Sequence, residues 1–214
     1  MAFDGIVIAN IVKELQEHLL GGRINKIAQP EKDALLLTIK GKQGQERLFL
    51  SANASLPLIY LTEKNKPSPM VAPNFCMLLR KHLNSARILS ITQPEMERII
   101  QFEIEHLNEL GDICTKYLIV EIMGKHSNII LINDKNIIID SLRHIWATDT
   151  IYRDILPSRT YSFPTSEKLD YTKISDIYSI FQDNLNLSVE EFSKLFANTF
   201  NGFSLSFIKS ALEK

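Results

Sequence analysis

The sequence has few of the features that mark secreted, membrane or disulfide-stabilised proteins. Its two cysteines, Cys76 and Cys114, stand alone without CxxC spacing, which fits a reducing cytosol better than a disulfide framework. No apolar run approaches the length of a membrane span. The first residues show no basic segment ahead of an apolar one, the pattern of a signal peptide. We therefore expect a cytoplasmic protein with no membrane partner.

Recognisable catalytic and metal-binding patterns are also missing. The five histidines show no HExxH pattern, no paired spacing and no cysteine companions. GxSxG, Walker and GxGxxG patterns are absent too. Asp4, Glu97 and Glu121 could be imagined as acid–base partners, but nothing in their spacing brings them together. We predict no catalytic residue, no metal and no cofactor.

Positive and negative charges nearly cancel, since the chain has 24 Lys and Arg residues and 25 Asp and Glu residues. The net charge therefore does not indicate a nucleic-acid partner, and any basic surface must be local. Arg80 and Lys81 form one such patch near a predicted helix end, where cations also offset the helix dipole. Trp146, the only tryptophan, we interpret as a packing anchor rather than a platform for base stacking.

Apolar residues recur at helical spacing between positions 5 and 20 and predict an amphipathic helix. Asp4 is placed to cap its start, and Gly21-Gly22 is placed to end it. A second helix is predicted at about 73–84. With 45% hydrophobic residues, a chain of 214 residues can bury a sizeable core beneath such helices.

Short β-branched segments separated by turn residues predict about nine strands in two hairpin-rich groups. The predicted strands are 23–28, 34–39, 47–50, 58–61, 87–93, 98–105, 112–123, 127–132 and 136–141. Gly41 and Gly44 indicate one of the hairpins. The expected fold class is α+β, an antiparallel sandwich or open barrel with flanking helices.

The composition changes after about Thr165, where helical patterns replace strands. Segments 174–181, 189–198 and 203–212 look helical, and Ser188 with Glu191 forms a capping-box pattern.

The stretch from Glu121 to Asn128 is the most unusual in the chain. It lies between two apolar runs, and Lys125, His126, Ser127 and Asn128 follow Gly124 as four consecutive hydrogen-bonding side chains. From physics alone, a β-bulge with a solvated rim is the favoured interpretation. The alternative is a binding site.

This run resembles the signature of the NFACT-N domain, the amino-terminal module of the RqcH/Rqc2/NEMF proteins, which are often labelled fibronectin-binding protein A. Together the matching segments cover roughly residues 1–165. Besides 121–128 they are Asp4-Gly5 with Glu14-Leu15, residues 22–27, 74–76, 79–83, and Leu156-Pro157 with Arg159 and Tyr161. The chain is identified as a member of that family.

The resemblance implies a fold like the amino-terminal domain of MutM-type DNA glycosylases. Those enzymes use an amino-terminal proline as nucleophile, and this chain begins Met-Ala-Phe-Asp, so glycosylase activity is disfavoured. It further implies an NFACT-N domain at 1–168, followed at 169–214 by the start of a helix-hairpin-helix module in a longer protein.

The function that the resemblance implies is ribosome-associated quality control. Family members bind the large ribosomal subunit obstructed by peptidyl-tRNA and recruit tRNA, alanyl-tRNA in bacteria, for non-templated alanine tailing of the stalled chain. This domain would bind tRNA and leave peptide transfer to the ribosome. The implied tRNA-binding residues are Asp4, Arg80, Lys81, Glu97, Arg98, Glu121, Met123, Lys125, His126 and Asn128. The alternative, from a different class, is a surface-displayed adhesin that binds fibronectin.

Arg98 matches the Asp-Arg pair that the family pattern has at this place, whereas Glu97 departs from it, standing where the family has aspartate. Glutamate keeps the charge one methylene farther out. We expect Glu97 to hold the guanidinium of Arg98 in its contact geometry. The alternative is a surface ion pair of little energetic consequence.

Overall fold

The structure is a computed structural model of an α+β chain, and it describes residues 3–41, 44–108, 110–148, 153–164, 166–184 and 186–213. The helices are α1 (Gly5–Leu19), α2 (Asn74–Leu83), α3 (Tyr178–Phe181), α4 (Val189–Thr199) and α5 (Leu205–Leu212). The strands are β1 (Arg23–Glu31), β2 (Ala34–Gly41), β3 (Gly44–Ser51), β4 (Leu58–Leu61), β5 (Arg87–Thr92), β6 (Ile99–Leu107), β7 (Ile113–Glu121), β8 (Asn128–Asn133) and β9 (Ile138–Ser141).

All nine strands form one antiparallel sheet in the order β4-β3-β2-β1-β5-β6-β7-β8-β9. The two predicted groups of strands are joined where β1 meets β5, at the single register pair Arg23↔Arg87. The prediction of an antiparallel sheet with flanking helices is confirmed, and the strands form one continuous sheet. Gly41 pairs with Gly44 as a hairpin requires, although the predicted turn at 42–43 lies outside the described residues.

The core lies between the sheet and the first two helices. One cluster of buried side chains includes Leu37 of β2, Phe102 of β6 and Leu118 of β7, together with Ile8 of α1 and Leu79 of α2. Because both halves of the sheet contribute to this cluster, they share one core. Burying a side chain as large as Phe102, which is 1% exposed, stabilises the fold by about 1.5–3 kcal/mol.

The opposite face of β7 and β8 is covered as well. Ile119 and Ile130 point to this face and pack in a second cluster with Ile155 and Tyr161, which follow β9 in the chain. Covered on both faces, these two strands consist of nearly continuous apolar residues instead of an alternating pattern. The segment that carries Ile155 and Tyr161 therefore belongs to the body of the domain.

The predicted helix at the start of the chain is present as α1, and its cap is confirmed. Asp4 Oδ1 accepts a hydrogen bond from the amide of Val7 at 3.0 Å. The helix ends before Gly21, whose φ of +76° suits glycine. Next to it, a side chain on Gly22 would approach Ile39 to 2.8 Å. The two glycines thus allow α1 to turn directly into β1.

The helices after residue 169 agree with the sequence in part. The capping box of α4 is confirmed, because Ser188 and Glu191 bond to each other's backbone amides at 3.3 and 3.0 Å. The predicted helix over 174–181 was wrong in extent, since only the single turn α3 forms. Asp176 accepts a hydrogen bond from Ser179 N at 3.3 Å and so starts that turn late.

Phenylalanines hold this helical segment together. Phe196 of α4 stacks on Phe181 with ring centroids 5.4 Å apart and meets Phe203 edge-on at 5.1 Å. Phe200 lies 4.8 Å from Phe196 and is fully buried. That the segment opens a helix-hairpin-helix module, with a domain boundary at 168/169, stays a prediction, as does the likeness to MutM.

Candidate functional site

β6 begins, β7 ends and β8 begins at the same end of the sheet. We call this place the turn edge and define it as residues 97–98 and 121–128. Ile99 pairs with Glu121, and Glu121 pairs with Asn128 on its other side. Just before β6 begins, the carbonyl of Arg98 accepts a hydrogen bond from Ile122 N at 2.8 Å. The structure therefore brings together seven of the ten predicted site residues: Glu97, Arg98, Glu121, Met123, Lys125, His126 and Asn128.

The predicted β-bulge at Gly124 is wrong. A short 3₁₀ turn, Gly124–His126, connects β7 to β8, and the register between those strands continues without a shift. Gly124 has φ +59°, a left-handed conformation that glycine adopts without steric cost. The backbone reverses so tightly that Ser127 N bonds back to Gly124 O at 3.0 Å. Glycine is needed here to form the turn.

Two of the four consecutive polar side chains hold this turn from inside. Ser127 and Asn128 are both fully buried. Ser127 Oγ accepts a hydrogen bond from Met123 N at 2.8 Å. Asn128 Nδ2 donates to Arg143 O at 2.8 Å, and its Oδ1 accepts from Arg143 N at 3.0 Å. With its amide satisfied in this way, Asn128 fixes the start of the segment that follows β9.

Glu121 anchors the turn edge from below through a buried ion pair. Its side chain is 0% exposed, and both carboxylate oxygens accept hydrogen bonds of 2.7 Å from Arg153 Nη2. The hydroxyl of Tyr161 donates to Oε1 at 2.8 Å, and Arg153 Nη1 donates to Ser162 O at 2.8 Å. The carboxylate therefore has no open position for a ligand.

Burial and close contact shift the pKa values of Tyr161 and Arg153 in this cluster. Burial, followed by the neighbouring Glu121 carboxylate, raises the pKa of Tyr161 far above its usual value. Burial, the largest single effect, lowers the pKa of Arg153, but the charge and hydrogen bonds of Glu121 together with the contact to Tyr161 outweigh it, and the net shift is upward. Tyr161 thus stays a neutral donor and Arg153 a cation across the physiological range.

Three side chains of the turn edge face solvent instead. Arg98, Lys125 and His126 are exposed, and none of them forms a hydrogen bond or ion pair with the part of the chain that the structure describes. Met123, half-buried, packs against the cluster around Ile119. The turn edge therefore presents two cations and an imidazole on a support that buried hydrogen bonds make rigid.

Glu97 does not pair with Arg98, contrary to our expectation. Its carboxylate Oε1 accepts a hydrogen bond from Asn201 Nδ2 at 2.8 Å, and the described residues show no Glu97–Arg98 ion pair. Gln93 Nε2 bonds to the carbonyls of Glu97 and Gly5 at 2.9 and 2.8 Å. Adjacent residues in an extended chain point to opposite sides, so the two side chains diverge. Glu97 instead links the sheet to the helical segment.

Asp4 takes part in the same junction. Besides capping α1, its Oδ2 accepts a hydrogen bond of 2.6 Å from the hydroxyl of Ser204, the residue that caps α5. Ile6 N donates to Gly202 O at 3.1 Å beside it. Both carboxylate oxygens of Asp4 are thus engaged within the chain.

Arg80 and Lys81 lie away from the turn edge. Arg80 Nε donates to Ile27 O at 2.8 Å and so fastens α2 to β1. Lys81 lines a hollow with His106 and Lys116 near the opposite end of β6 and β7. Lys116 is five residues from Glu121 along β7, about 17 Å at the rise of a strand. A single ligand in contact with all ten predicted site residues would therefore have to extend from one end of the sheet to the other.

Other chemistry is sparse in the described ranges. No three or more His, Cys, Asp and Glu side chains converge there in a way that could hold a metal ion, and no described helix is long and apolar enough to cross a membrane. Burial raises the pKa of Cys76, so its thiol stays protonated and unreactive.

An open nine-stranded antiparallel sheet, with helices over its core and a rigid polar turn at one edge, defines the class of this chain as an α+β module. The chain belongs to the NFACT family, because residues 4–214 match the family described as NFACT N-terminal and middle domains.

Relatives and solved structures agree with that assignment. The Rqc2 homolog RqcH of Bacillus subtilis (strain 168) is 38% identical over 218 residues, which take in 100% of this chain and 38% of the relative. Ribosome quality control complex subunit NEMF of Homo sapiens is 28% identical over 141 residues, 66% of this chain and 12% of that protein. The N-terminal domain of fibronectin-binding protein PavA from Streptococcus pneumoniae superposes with a TM-score of 0.90 at 34% identity, covering 99% of this chain and 79% of that one. The chain thus spans less than two fifths of its curated bacterial relative.

Proposed function

We propose that this chain is the tRNA-binding amino-terminal portion of a ribosome-associated quality-control factor that acts in the cytoplasm. The observation that carries the proposal is the turn edge, where Arg98, Lys125 and His126 are exposed without partners among the described residues. The names of the relatives, which refer to ribosome quality control and to Rqc2, support the same assignment.

The mode of binding follows from what these side chains offer. Arg98 and Lys125 supply charge-assisted hydrogen bonds to phosphate oxygens, and His126 adds a ring nitrogen. Because Glu121 is neutralised by Arg153 beneath the turn, its charge does not repel a phosphate there. The chain as a whole carries a formal charge of −1, so attraction of RNA depends on this local surface.

In the proposed cycle, no side chain of this module forms or breaks a covalent bond. The module holds tRNA, alanyl-tRNA in bacteria, against a large ribosomal subunit that is obstructed by peptidyl-tRNA. The ribosome transfers the peptide, and the stalled chain receives a non-templated alanine tail. Asp4 and Glu97 support the binding surface by joining α1 and β6 to the helical segment.

Salt dependence provides the first test. If three phosphates are contacted, tRNA affinity of the 214-residue chain should fall by about twenty- to fifty-fold between about 50 and 200 mM salt. Fluorescence anisotropy with end-labelled tRNA at four salt concentrations gives the slope. An affinity that does not change with salt would contradict phosphate contacts.

Arg98→Ala provides the second test. The variant should bind tRNA about ten-fold more weakly, because a hydrogen bond to a charged group is lost, and its salt slope should fall by about 0.7–0.9. Its melting temperature should not change, because an exposed charge contributes little to stability. Arg98→Lys should restore only part of the affinity, because an ammonium cannot reproduce the planar donor fork.

The matched control is Arg87→Ala, which removes the same charge from an exposed position on β5. Arg87 lies opposite Glu105, about 24 Å along β6 from Arg98, and its loss should leave tRNA affinity within about two-fold at moderate salt. Equal losses in the two variants would mean that binding follows total charge and that the turn edge is not the site.

The second candidate function is fibronectin binding, which is favoured by the name of the structural neighbour from Streptococcus pneumoniae. Tight binding of fibronectin at physiological salt, together with no tRNA binding at any salt, would favour this alternative.

A further inference from the structure

Trp146 is not a packing anchor. Its side chain is 68% exposed, whereas the sequence interpretation required burial. Tryptophan is enriched among the residues that contribute most to binding at interfaces. The surroundings of Trp146 therefore indicate what it is positioned to meet.

The backbone just before Trp146 is hydrogen-bonded to the segment that begins at Ile155. Ile145 and Ile155 exchange backbone hydrogen bonds of 3.1 and 2.8 Å. Leu156 to Arg159 then form a tight turn, closed by Arg159 N donating to Leu156 O at 3.2 Å. Ser158, with φ +67°, occupies the turn position that requires a left-handed conformation. The indole therefore projects from a fixed scaffold beside a rigid turn.

A hollow of about 440 Å³ opens between Trp146 and this turn, within the size range of small-ligand sites. Its lining consists of Trp146, His144, Leu156, Pro157, Ser158 and Arg159. The indole and the proline ring give it flat apolar walls, while the serine, histidine and arginine place hydrogen-bonding groups at its rim.

Arg159 is the cation that this hollow offers to a ligand. The side chain of Arg159 is 63% exposed, and its only ion pair within the described chain is a loose one to Asp154 at 3.9 Å. Asp154 also accepts a hydrogen bond from Ala147 N at 2.7 Å, and Asp140 accepts one from His144 at 2.7 Å. The exposed guanidinium of Arg159 can therefore contact an anionic group.

We propose that Trp146 stacks on one unpaired base of a single-stranded RNA segment, with Arg159 contacting the adjacent phosphate. A flat aromatic surface beside a cation is how proteins bind unstacked nucleotides. The inference rests on the proposed function, since it takes RNA as the partner. The carbonyl of Arg159 accepts a hydrogen bond from Ile138 N, and four residues farther along Leu142 N bonds to Ile129 O, next to Asn128 of the turn edge. Four residues of extended chain span about 13 Å. One RNA can therefore reach both surfaces.

The test uses the single tryptophan as its own reporter. The 214-residue chain is titrated with ten-nucleotide oligoadenylate and oligouridylate, and Trp146 fluorescence is followed beside anisotropy of the labelled RNA. We expect saturable quenching of the indole. Trp146→Ala should weaken oligonucleotide binding by about five- to a hundred-fold, and Trp146→Phe should be intermediate because a smaller ring still stacks.

Two further variants separate stacking from charge. Arg159→Ala should weaken binding and lower its salt slope while leaving the quenching at saturation unchanged. Tyr178→Ala removes an aromatic side chain of similar exposure, 65%, and should change neither signal. Melting curves of all variants should match the parent chain.

The outcomes distinguish this inference from the proposed function. If tRNA binds in an Arg98-dependent manner while Trp146 fluorescence and the Trp146→Ala affinity are unaffected, the stacking site is wrong and the proposed function stands. If oligonucleotides quench the fluorescence of Trp146 but tRNA affinity does not depend on Arg98, the stacking site is supported and the turn edge is not the tRNA-binding site. Quenching by fibronectin and not by RNA would overturn the inference in favour of a protein ligand.

Discussion

Arg153→Met should lower the free energy of unfolding by about 3–5 kcal/mol, the cost of leaving a buried charge without its partner. Glu121 is 0% exposed, and the 2.7 Å contacts to Arg153 supply its only counterion within the described residues. Methionine fills a similar volume but cannot donate a hydrogen bond. Tyr161 would remain as a single neutral donor to the carboxylate, which is not enough to replace the lost cation. Urea unfolding followed by circular dichroism measures the change.

A double variant shows whether charge or volume causes the loss. Combining Glu121→Gln with Arg153→Met removes both charges and should be more stable than Arg153→Met alone, since a neutral amide is far less costly to bury. Arg159→Met, at a side chain that is 63% exposed, should change stability by less than about 0.5 kcal/mol. If Arg153→Met unfolds at the same urea concentration as the parent, Glu121 is not held by this pair.

The second large effect is expected for Gly5→Ala. A Cβ atom at Gly5 would lie 2.2 Å from Met96 O and 2.4 Å from Gly202 Cα, so backbone segments must separate to admit it. Helix propensity alone would make alanine the better residue by about 1 kcal/mol. We nevertheless expect a net loss of about 1–3 kcal/mol or more, because the clash is with backbone atoms that cannot rotate away.

Hydrogen exchange locates where the strain is relieved. Ile6 N donates to Gly202 O, and we expect this amide to lose protection in Gly5→Ala before the amides of β6 and β7 do. The control is Gly111→Ala, which has φ +86° but no atom within 4 Å of the added carbon, and which should cost about 1–2 kcal/mol. A protected Ile6 amide in a fully stable Gly5→Ala variant would show that the contact is not tight.

The sequence predicts those parts of the fold that local patterns determine. Residues within a few positions of one another determine the cap at Asp4, the helix α1 and the strands of each hairpin. The resemblance to a known family indicated that residues 121–128 are important, whereas the local pattern alone predicted only a bulge there. The helix over 174–181 was wrong in extent because Asp176 offers the backbone a side-chain partner, and helical structure starts only at Tyr178.

The candidate site depends instead on pairs that no local pattern reveals. Glu121 meets Arg153 and Tyr161 across 32 and 40 residues, and Glu97 meets Asn201 across 104. Tyr161 belonged to the matched motifs, but its role becomes clear only when its hydroxyl is seen to bond to Glu121 beneath the turn. In the same way, the resemblance to the family's Asp-Arg motif suggested an Arg98–Glu97 pair, and the glutamate side chain bonds to Asn201 of the helical segment instead.

The hydrogen bond between Asp4 and Ser204 joins residues 200 positions apart, and this separation has a consequence for how the protein is made. A ribosome adds about 5–20 residues per second, so about 10–40 s pass between the synthesis of these two residues. During that interval the start of α1 has neither Ser204 nor Gly202 to bind. The first turn of α1 and the packing of Gly5 against Met96 are therefore completed only after the sheet has formed, when the helical segment leaves the exit tunnel. The amino terminus, although made first, is among the last parts of this fold to close.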